Sequence, residues 1–313
     1  MNKNLKRTWT WLGAALLAAC VTVPPAAVAD GCGRWKSGVS DHDMKFGGRD
    51  RSYRLFLPRS GDGKTRLPLL IALHGAYGSG KQFEGQTGFD DIAGNKGFAV
   101  VYPDGFKRSW AAGVCCDPAK SSGIDDLGYL AAIVDQLSSE ACVDKSRVFA
   151  AGFSNGAFLT QHIACERPGF LKGFATVSGS LLATHQASEQ ELIASCPKAA
   201  ATPAILLQGE ADPRVFWKGG EFQGTYRPPI TTVVDVLAKR NHCGNEEKVT
   251  EQHGAVTCKT RQNCSGGPVT YCGVAGAGHQ WLGGETVMTF LLGKNSNELN
   301  ASQKIVDFFA SIR

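Results

Sequence analysis

The 313-residue sequence contains no Cys-x-x-Cys pair, and none of its histidines lies at a zinc-binding spacing from a cysteine. Structural zinc sites need closely spaced thiolate and imidazole ligands, so this absence argues against metal binding by the cysteines. The sequence also lacks internal repeats, low-complexity tracts, Pro/Ser-rich linkers and blocks of like charge. With 43% hydrophobic residues the chain can bury one large core. One domain is therefore predicted.

A strong charge of one sign is also missing. The 33 basic and 28 acidic residues give a net charge of +5 and are spread along the chain. This balance favours solubility and lacks the concentrated basic face that nucleic-acid binding requires. No nucleic-acid partner is expected.

No hydrophobic run predicts a membrane span. The stretch from Trp9 to Val23 follows a basic start and precedes the small-residue run AVA, which is the pattern of an export signal. Residues 1–29 are predicted to be a signal peptide and residues 30–313 a single domain that is secreted or periplasmic. The alternative is cleavage before Cys20, because LAAC resembles a lipoprotein box that would anchor the chain through a lipid. The helix-breaking Pro24-Pro25 favours cleavage at the AVA run.

Cysteine usage agrees with export. Ten cysteines remain when Cys20 is removed or lipidated, enough for five disulfides. The four cysteines from Cys243 to Cys272 are expected to pair with one another across local strands. The adjacent Cys115 and Cys116 are expected to bond to different partners, because a bridge between neighbours strains the peptide between them.

Apolar runs alternate with helical patterns along the chain. Runs such as Leu69 to Leu73 and Ala204 to Leu207 are apolar throughout, which is typical of strands buried on both faces of a parallel sheet. A final helix near SQKIVDFFASI is expected to begin from Asn300 or Ser302. The pattern predicts an α/β fold with a mostly parallel central sheet, helices on both faces and stabilising disulfides. The predicted strands are YRLFLP, LPLLIALHG, FAVVYPDG, RVFAAGFS, GFATVSGS, PAILLQGEADP, AVTCKTRQN and VTYCGV.

A serine between glycines is the first candidate catalytic residue. Gly152, Ser154 and Gly156 form the pattern Gly-x-Ser-x-Gly between the apolar run RVFAAGF and the helical pattern NGAFLTQHIACE. At a strand-to-helix turn of this kind the serine hydroxyl stands above the sheet, with the positive end of the helix beneath it. The pattern also arises by chance in a chain with 38 glycines, so its context carries the prediction that Ser154 is a nucleophile.

A serine nucleophile needs a base and a group that orients the base. In α/β-hydrolases the chain order is serine, then aspartate or glutamate, then histidine. The run AILLQGEADPRV supplies Asp212, which Pro213 places in a tight turn, with Glu210 as the alternative. Of the five histidines after Ser154, only His279 lies in a glycine-rich loop after a predicted strand. Asp212 and His279 are the predicted partners.

Two backbone N–H groups must hold the oxyanion that develops during acyl transfer. Asn155 is expected to supply one and Ala76 the other, with Tyr77 as the alternative donor. His74 is expected to hold the loop around Ala76 by a hydrogen bond. Aromatic side chains in loops near the expected pocket are candidates for substrate contact, with packing as the competing interpretation: Tyr77, Trp110, Trp217 and Trp281.

Over residues 51–313 the chain resembles, segment by segment, the secreted α/β-hydrolase esterases of the polyhydroxybutyrate depolymerase-like and feruloyl esterase family. The segments that carry the resemblance are PLLIALHGAYGSGKQF, FAVVYPDG, SWAAGVCCDPA, IDDLGYLAAIVDQL, VDKSRVFAAGFSNGAF, LLQGEADPRV and GAGHQWLGG. The resemblance implies a serine esterase with Ser154, Asp212 and His279 as its triad. The departures from the family pattern fall around the pocket and bear on acyl specificity: Ala157, Leu282 and Val215-Phe216-Trp217.

The triad and the resemblance together predict hydrolysis of a carboxylic ester through an acyl-enzyme, without a metal or organic cofactor. The substrate is expected to be a feruloyl or other xylan-linked ester of the plant cell wall, with acetylated xylan and hydroxybutyrate polymers or oligomers as alternatives. No separate module for binding solid polymer is evident, which favours soluble oligomers or side-chain esters. An exported binding protein on an inactive hydrolase fold is the non-enzymatic alternative, and a protease or acyltransferase would use the same triad.

Overall fold

The structure, a computed structural model, describes residues 36–59 and 65–312. The predicted signal peptide, the alternative lipid anchor at Cys20, and Cys32 lie outside these residues. No helix within the two described ranges is both long enough and apolar enough to cross a bilayer.

The described residues form these strands: β1 (Gly38–Phe46), β2 (Arg49–Leu57), β3 (Leu67–Leu73), β4 (Ala99–Pro103), β5 (Val143–Phe153), β6 (Gly173–Val177), β7 (Ala204–Gly209), β8 (Gly220–Phe222), β9 (Thr225–Arg227), β10 (Glu247–His253), β11 (Val256–Arg261) and β12 (Val269–Val274). Ten of them form one sheet in the order β1-β2-β4-β3-β5-β6-β7-β12-β11-β10, and β8 and β9 form a separate hairpin. Neighbours from β4 to β12 in this order are parallel, whereas the outer strands on both sides pair antiparallel. The prediction of a mostly parallel sheet is therefore confirmed.

Helices cover both faces of this sheet. Successive side chains of a strand point to opposite faces, and β3 shows the consequence: Leu69, Ile71 and Leu73 pack in one core, while Leu70 and Ala72 pack in the other. A strand with this environment must be apolar at every position, which is the pattern that predicted it. The helices are α1 (Gly80–Thr87), α2 (Phe89–Asn95), α3 (Asp126–Glu140), α4 (Asn155–Glu166), α5 (Glu189–Ala194), α6 (Ile230–Arg240), α7 (Thr289–Leu292) and α8 (Ala301–Ser311).

One of the two candidate caps predicted for the last helix, Asn300, is the N-cap of α8. The Asn300 side chain accepts a hydrogen bond from the Gln303 N–H, which satisfies one of the free amides in the first turn of α8. The other candidate, Ser302, lies inside the helix, where its hydroxyl donates to the Thr87 carbonyl at the end of α1. Asn300 is therefore the cap, and Ser302 joins two helices.

The β8–β9 hairpin was not predicted from the sequence. Its strands have three residues each, and its two-residue turn, Gln223-Gly224, has φ values of 50° and 70°. Two successive positive φ angles match the twist of a tight hairpin. The Tyr226 backbone pairs with Ala183, which attaches the hairpin to the loop after β6.

Four disulfides join cysteines of the described residues. Cys243–Cys264 and Cys258–Cys272 pair within the C-terminal third, as predicted, and the second joins residues directly opposite each other on β11 and β12. Cys165–Cys196 ties α4 to the segment after α5. Cys142 is also disulfide-bonded.

The prediction for the adjacent cysteines was wrong. Cys115 and Cys116 are bonded to each other, and the peptide bond between them is cis. The prediction was based on the strain that such a bridge places on the peptide between the two residues. In the structure the two Cα atoms lie 3.2 Å apart, and the sulfur atoms are bonded.

Candidate active site

Ser154 lies at the turn between β5 and α4 with φ 51° and ψ −116°. A positive φ is costly for a residue with a side chain, and such conformations concentrate at functional sites. The flanking glycines are required by close backbone approach: a Cβ on Gly152 would lie 2.2 Å from the Gly156 carbonyl oxygen, and one on Gly156 would lie 2.2 Å from the Leu73 carbonyl oxygen. The turn can form only with glycine on both sides.

His279 lies between Ser154 and Asp212. Its Nε2 is 2.8 Å from the serine Oγ, and its Nδ1 is 2.9 Å from the aspartate Oδ2. An ionised carboxylate only accepts hydrogen bonds, so the imidazole donates from Nδ1 and presents Nε2 as the acceptor for the serine hydroxyl. The structure thus brings together the three residues that the sequence indicated, although they are far apart in the chain.

Asp212 also holds the turn that it occupies. Its Oδ1 accepts hydrogen bonds from the N–H groups of Arg214 and Val215, both at 2.8 Å, while Oδ2 faces His279. The side chain is almost completely buried. Glu210, the alternative carboxylate, is exposed and makes no hydrogen bond to His279 within the described part of the chain.

The loop that carries His279 is held by a residue that sequence reasoning missed. The His279 N–H donates to the Leu292 carbonyl. The buried Gln280 amide donates to the carbonyls of Val287 and Gly293, and its oxygen accepts from the Val287 N–H. Gln280 therefore shapes the segment from Val287 to Leu292, which forms one wall of the cavity described below.

The alternative oxyanion donor, Tyr77, differs from the two predicted donors because its N–H is already hydrogen-bonded. The N–H of Tyr77 donates to the Arg108 carbonyl at 2.8 Å, which removes the alternative donor. The N–H of Ala76 has no partner among residues 36–59 and 65–312, and Asn155 is the first residue of α4, where a helix leaves its amides unpaired. The Asn155 side chain exchanges two hydrogen bonds with the Trp110 backbone, which fixes the start of the helix.

His74 holds the Ala76 loop, as predicted. Its Nδ1 lies 2.7 Å from the Gly75 carbonyl oxygen, and its Nε2 accepts from the Gly105 N–H at 3.0 Å. These partners require the neutral ring with the proton on Nδ1. Burial disfavours the charged form and lowers the pKa of His74 to about 4.

A cavity of about 890 Å³ opens over Ser154 and His279. Tyr77 lines it and is 82% exposed, so its ring can contact a substrate. The β8–β9 hairpin and the bonded pair Cys115 and Cys116 also line it, and neither had been predicted there. No three side chains of the metal-binding types cluster anywhere in the described ranges.

Three of the four aromatic candidates do not line this cavity, which corrects the prediction. Trp110 and Trp281 are fully buried: the first donates its indole N–H to the His74 carbonyl, and the second packs against three phenylalanine rings and donates to Ser302. Trp217 is half-buried and packs against the core beside Gly273. Loop position suggested exposure, but long-range packing buries Trp110 and Trp281 completely and covers part of Trp217.

Comparisons with known proteins identify the family of this chain. The family described as Esterase PHB depolymerase matches residues 51–216, which is more than half of the chain. The Nocardia uniformis subsp. tsuyamanensis protein NocK is 28% identical over 289 residues, covering 85% of this chain and 81% of its own. Feruloyl esterase B of Piromyces equi is 30% identical over 234 residues, covering 71% of this chain but only 41% of its own.

A solved structure supports the fold at lower sequence identity. The acetyl xylan esterase from Aspergillus awamori superposes with a TM-score of 0.57 at 15% identity, covering 77% of this chain and 94% of that one. The α/β-hydrolase fold predicted from the sequence is thereby confirmed. With the family match over residues 51–216, these findings show that the chain belongs to the esterase PHB depolymerase family and is a carboxylic ester hydrolase.

Proposed function

We propose that the protein hydrolyses its ester through a covalent acyl-enzyme, with Ser154 as the nucleophile, His279 as the general base and Asp212 as the group that orients the base. The observation that carries this proposal is the pair of hydrogen bonds made by one imidazole, to the serine Oγ on one side and to the buried carboxylate on the other. This arrangement activates a serine that is otherwise a weak nucleophile at neutral pH.

In the first half-reaction the Ser154 oxygen attacks the ester carbonyl carbon while its proton passes to His279 Nε2. Asp212 stabilises the imidazolium that forms, because its ionised oxygen faces the Nδ1–H. The tetrahedral intermediate collapses when His279 returns the proton to the leaving alcohol. The acyl group then remains on Ser154.

The negative charge of the intermediate develops on the former carbonyl oxygen. The amides of Ala76 and Asn155 are the proposed donors to it, because both lack partners within the described ranges and both line the cavity. Donors that are already oriented cost no reorganisation at the moment of reaction. Water then attacks the acyl-enzyme with His279 as base, and Ser154 leaves as the restored alcohol.

The proposed substrate is a feruloyl or other xylan-linked ester. The names of two related proteins, a feruloyl esterase and an acetyl xylan esterase, support this class. The mouth of the cavity supports it too, because it exposes the apolar side chains of Tyr77, Met288 and Leu291, which suit an aromatic acyl group. A hydroxybutyrate ester remains the second candidate, since the family description names a PHB depolymerase.

Export of the protein is part of the proposal. The disulfides would not persist in a reducing cytosol, so they support a secreted or periplasmic site of action, with residues 1–29 as the signal peptide.

Hydrolysis of three esters by the oxidised protein tests the proposal: methyl ferulate, an acetylated xylo-oligosaccharide and a hydroxybutyrate oligomer, each with a Ser154→Ala control. Turnover of methyl ferulate or the xylo-oligosaccharide that disappears in the control is the expected result, together with labelling of Ser154 by a fluorophosphonate. Turnover that persists in the control would overturn Ser154 as nucleophile. A folded protein that neither turns over an ester nor is labelled would favour the inactive binding protein.

A further inference from the structure

Arg227 is a buried arginine, and no carboxylate of the described residues bonds to it. It is 4% exposed, lies at the end of β9 and lines the cavity above Ser154. Arg51, the other arginine buried within the described ranges, is 6% exposed but forms a 2.8 Å ion pair with Asp126. No ion pair joins Arg227 to any residue of those ranges. Burying an unpaired charge is unfavourable, so a role in binding is a natural reason to retain it.

Only one nitrogen of the Arg227 guanidinium donates hydrogen bonds to the described residues. Its Nη1 donates to the Phe222 carbonyl and to the carbonyl and hydroxyl of Thr225, which fixes the side chain within its own hairpin. Its Nε is buried without any hydrogen-bond partner in the described residues. Burial lowers the pKa of Arg227 to about 10, so the group remains charged at neutral pH.

Three further cations line the same cavity: Arg108, Lys120 and Arg214. Asp117 is the one carboxylate residue in the lining, and none of these five charged residues forms an ion pair within the described ranges. The chain as a whole is nearly balanced in charge, with 33 basic and 28 acidic residues. The excess of positive charge is therefore local to this cavity, and it would attract an anionic ligand.

Arg214 and Arg227 share one aromatic ring. The guanidinium carbons lie 5.2 Å and 5.0 Å from the centre of the Phe222 ring, which is itself part of the cavity lining. Arg214 follows directly from the turn of Asp212, and the charge of Asp212 acts on Arg227. Both guanidinium groups are thus held close to the catalytic turn.

We infer that Arg227 and Arg214 form a carboxylate-binding subsite, so that the ester that this site prefers carries a free carboxylate. Guanidinium groups bind carboxylates through charge-assisted hydrogen bonds. The Nη2 group of Arg227 supplies a donor, because it makes no hydrogen bond to the described residues and is not enclosed as Nε is. The inference rests on the proposed function and narrows its substrate class. The carboxylate has two sources: the acyl group, or the alcohol part, as in a uronic acid or the acid end of a hydroxyacid oligomer.

Two matched pairs of esters separate these sources. Mono-4-nitrophenyl adipate carries its carboxylate on the acyl side, and the linear dimer of 3-hydroxybutyrate carries it on the alcohol side. The control for each is its terminal primary amide, which is neutral and of nearly the same size. One pair is expected to show a preference for the acid of about 10- to 100-fold in kcat/KM, as expected for hydrogen bonds to a charged group. Salt should reduce the rate with that acid only.

Arg227→Gln and Arg214→Gln should abolish most of that preference. Arg49→Gln removes the same charge from an exposed residue outside the cavity and should leave the preference intact. Equal rates for acid and amide in both pairs would overturn the inference, as would a preference that survives in Arg227→Gln. A fall in thermal stability of that variant with an unchanged preference would assign Arg227 a structural role.

Binding to the Ser154→Ala protein keeps this test separate from the proposed mechanism. Calorimetry measures the affinity for each intact acid and amide without turnover. Tighter binding of one acid, lost in Ser154→Ala/Arg227→Gln, supports the subsite even if the esterase proposal fails. Equal affinities within both pairs would overturn the subsite, even if the enzyme hydrolyses neutral esters through Ser154.

Discussion

At the scale of single residues, Asp212 shows how one side chain serves the fold and the proposed chemistry together. The sequence predicts a carboxylate in a tight turn, facing the base. The structure shows both interactions, because Oδ1 accepts from the Arg214 and Val215 amides while Oδ2 faces His279. The turn thereby decides which oxygen reaches the imidazole.

Asp212→Asn should lower kcat by about 10⁴-fold without unfolding the protein. The two turn amides require an acceptor at the Oδ1 position, so the asparagine oxygen will occupy it and the NH₂ group will face His279. That donor favours the tautomer with the proton on Nε2, which cannot accept from Ser154. Steady-state kinetics with methyl ferulate, or with whichever ester the wild type hydrolyses, measures the loss.

Glu210→Gln is the matched control, since it makes the same chemical change two residues earlier in an exposed side chain. Its kcat should stay within about twofold of the wild type, as for surface substitutions in general. Equal losses in the two variants would assign the orienting role to the turn as a whole and not to Asp212.

His74 makes stability depend on pH in a definite direction. Its pKa in the folded protein is lowered to about 4 by burial, whereas an unfolded chain has a histidine pKa near 6.5. Between these values the unfolded chain binds the additional proton. The stabilising contribution of neutral His74 is therefore complete above pH 6.5 and is lost as the pH falls through the folded pKa.

His74→Asn should reduce this pH dependence while keeping a donor for the Gly75 carbonyl. Urea unfolding at pH 7, 6, 5 and 4.5 measures the free energy of unfolding of both proteins. The wild type should lose up to about 1.4 kcal/mol per pH unit more than the variant across this window. Burial raises the pKa of Asp90 to about 7, with the opposite dependence, but Asp90 contributes equally to both proteins. Parallel curves would contradict the assignment to His74.

At the scale of secondary-structure elements, the turn between β5 and α4 depends on a contact with a third element. The Gly156 position lies against the Leu73 carbonyl at the end of β3, so the helix can start directly behind Ser154 only if residue 156 has no side chain. The packing of α4 on two adjacent strands therefore requires the glycines of the Gly-x-Ser-x-Gly pattern.

Gly156→Ala should displace Ser154 from His279 and lower kcat/KM by at least about 10²-fold, since a misplacement of about 1 Å costs this much in rate. The reason is the 2.2 Å approach of an added Cβ to a backbone oxygen, which side-chain motion cannot relieve. Kinetics and thermal unfolding should be measured together. Wild-type activity in Gly156→Ala would refute this account of the turn.

Gly85→Ala provides the control for that substitution. Gly85 lies inside α1, has no atom within 4 Å of an added Cβ and does not adopt a positive φ. Alanine there should leave activity unchanged and raise stability by about 0.5–1 kcal/mol.

The central strands were predictable from the sequence, whereas the two edge strands, β1 and β10, and the short strands β8 and β9 were not. Four central strands are buried along their whole length, and their largely apolar sequences indicate this burial: β4, β6, β7 and β12. β10 has six exposed positions out of seven and therefore no hydrophobic pattern to read. The three-residue strands β8 and β9 are likewise too short to show a period.

At the scale of the whole molecule, the disulfides contribute unequally because they close loops of different length. Cys258 and Cys272 are 14 residues apart, and both are buried. Cys115 and Cys116 are neighbours, so their bond restricts the unfolded chain very little.

Cys258→Ala/Cys272→Ala should therefore lower the free energy of unfolding by about 3 kcal/mol, the value expected for a loop of this size. Cys115→Ala/Cys116→Ala removes the same number of thiols and should cost much less. Denaturant unfolding of both variants and the wild type measures the difference. Equal losses would show that local packing, and not loop closure, governs the contribution of these bonds.

The order of Ser154, Asp212 and His279, the parallel sheet and the pairing of the C-terminal cysteines could be inferred from the chain because each leaves a local pattern: a turn, a run of apolar residues, or neighbouring strands. The buried positions of Trp110 and Trp281 and the bond between Cys115 and Cys116 required the folded molecule. So did the group of four cations that lines the cavity, which the fold gathers from distant parts of the chain: Arg108, Lys120, Arg214 and Arg227. The burial of a side chain and the charges around it depend on contacts between distant parts of the chain, so a local sequence pattern cannot predict them.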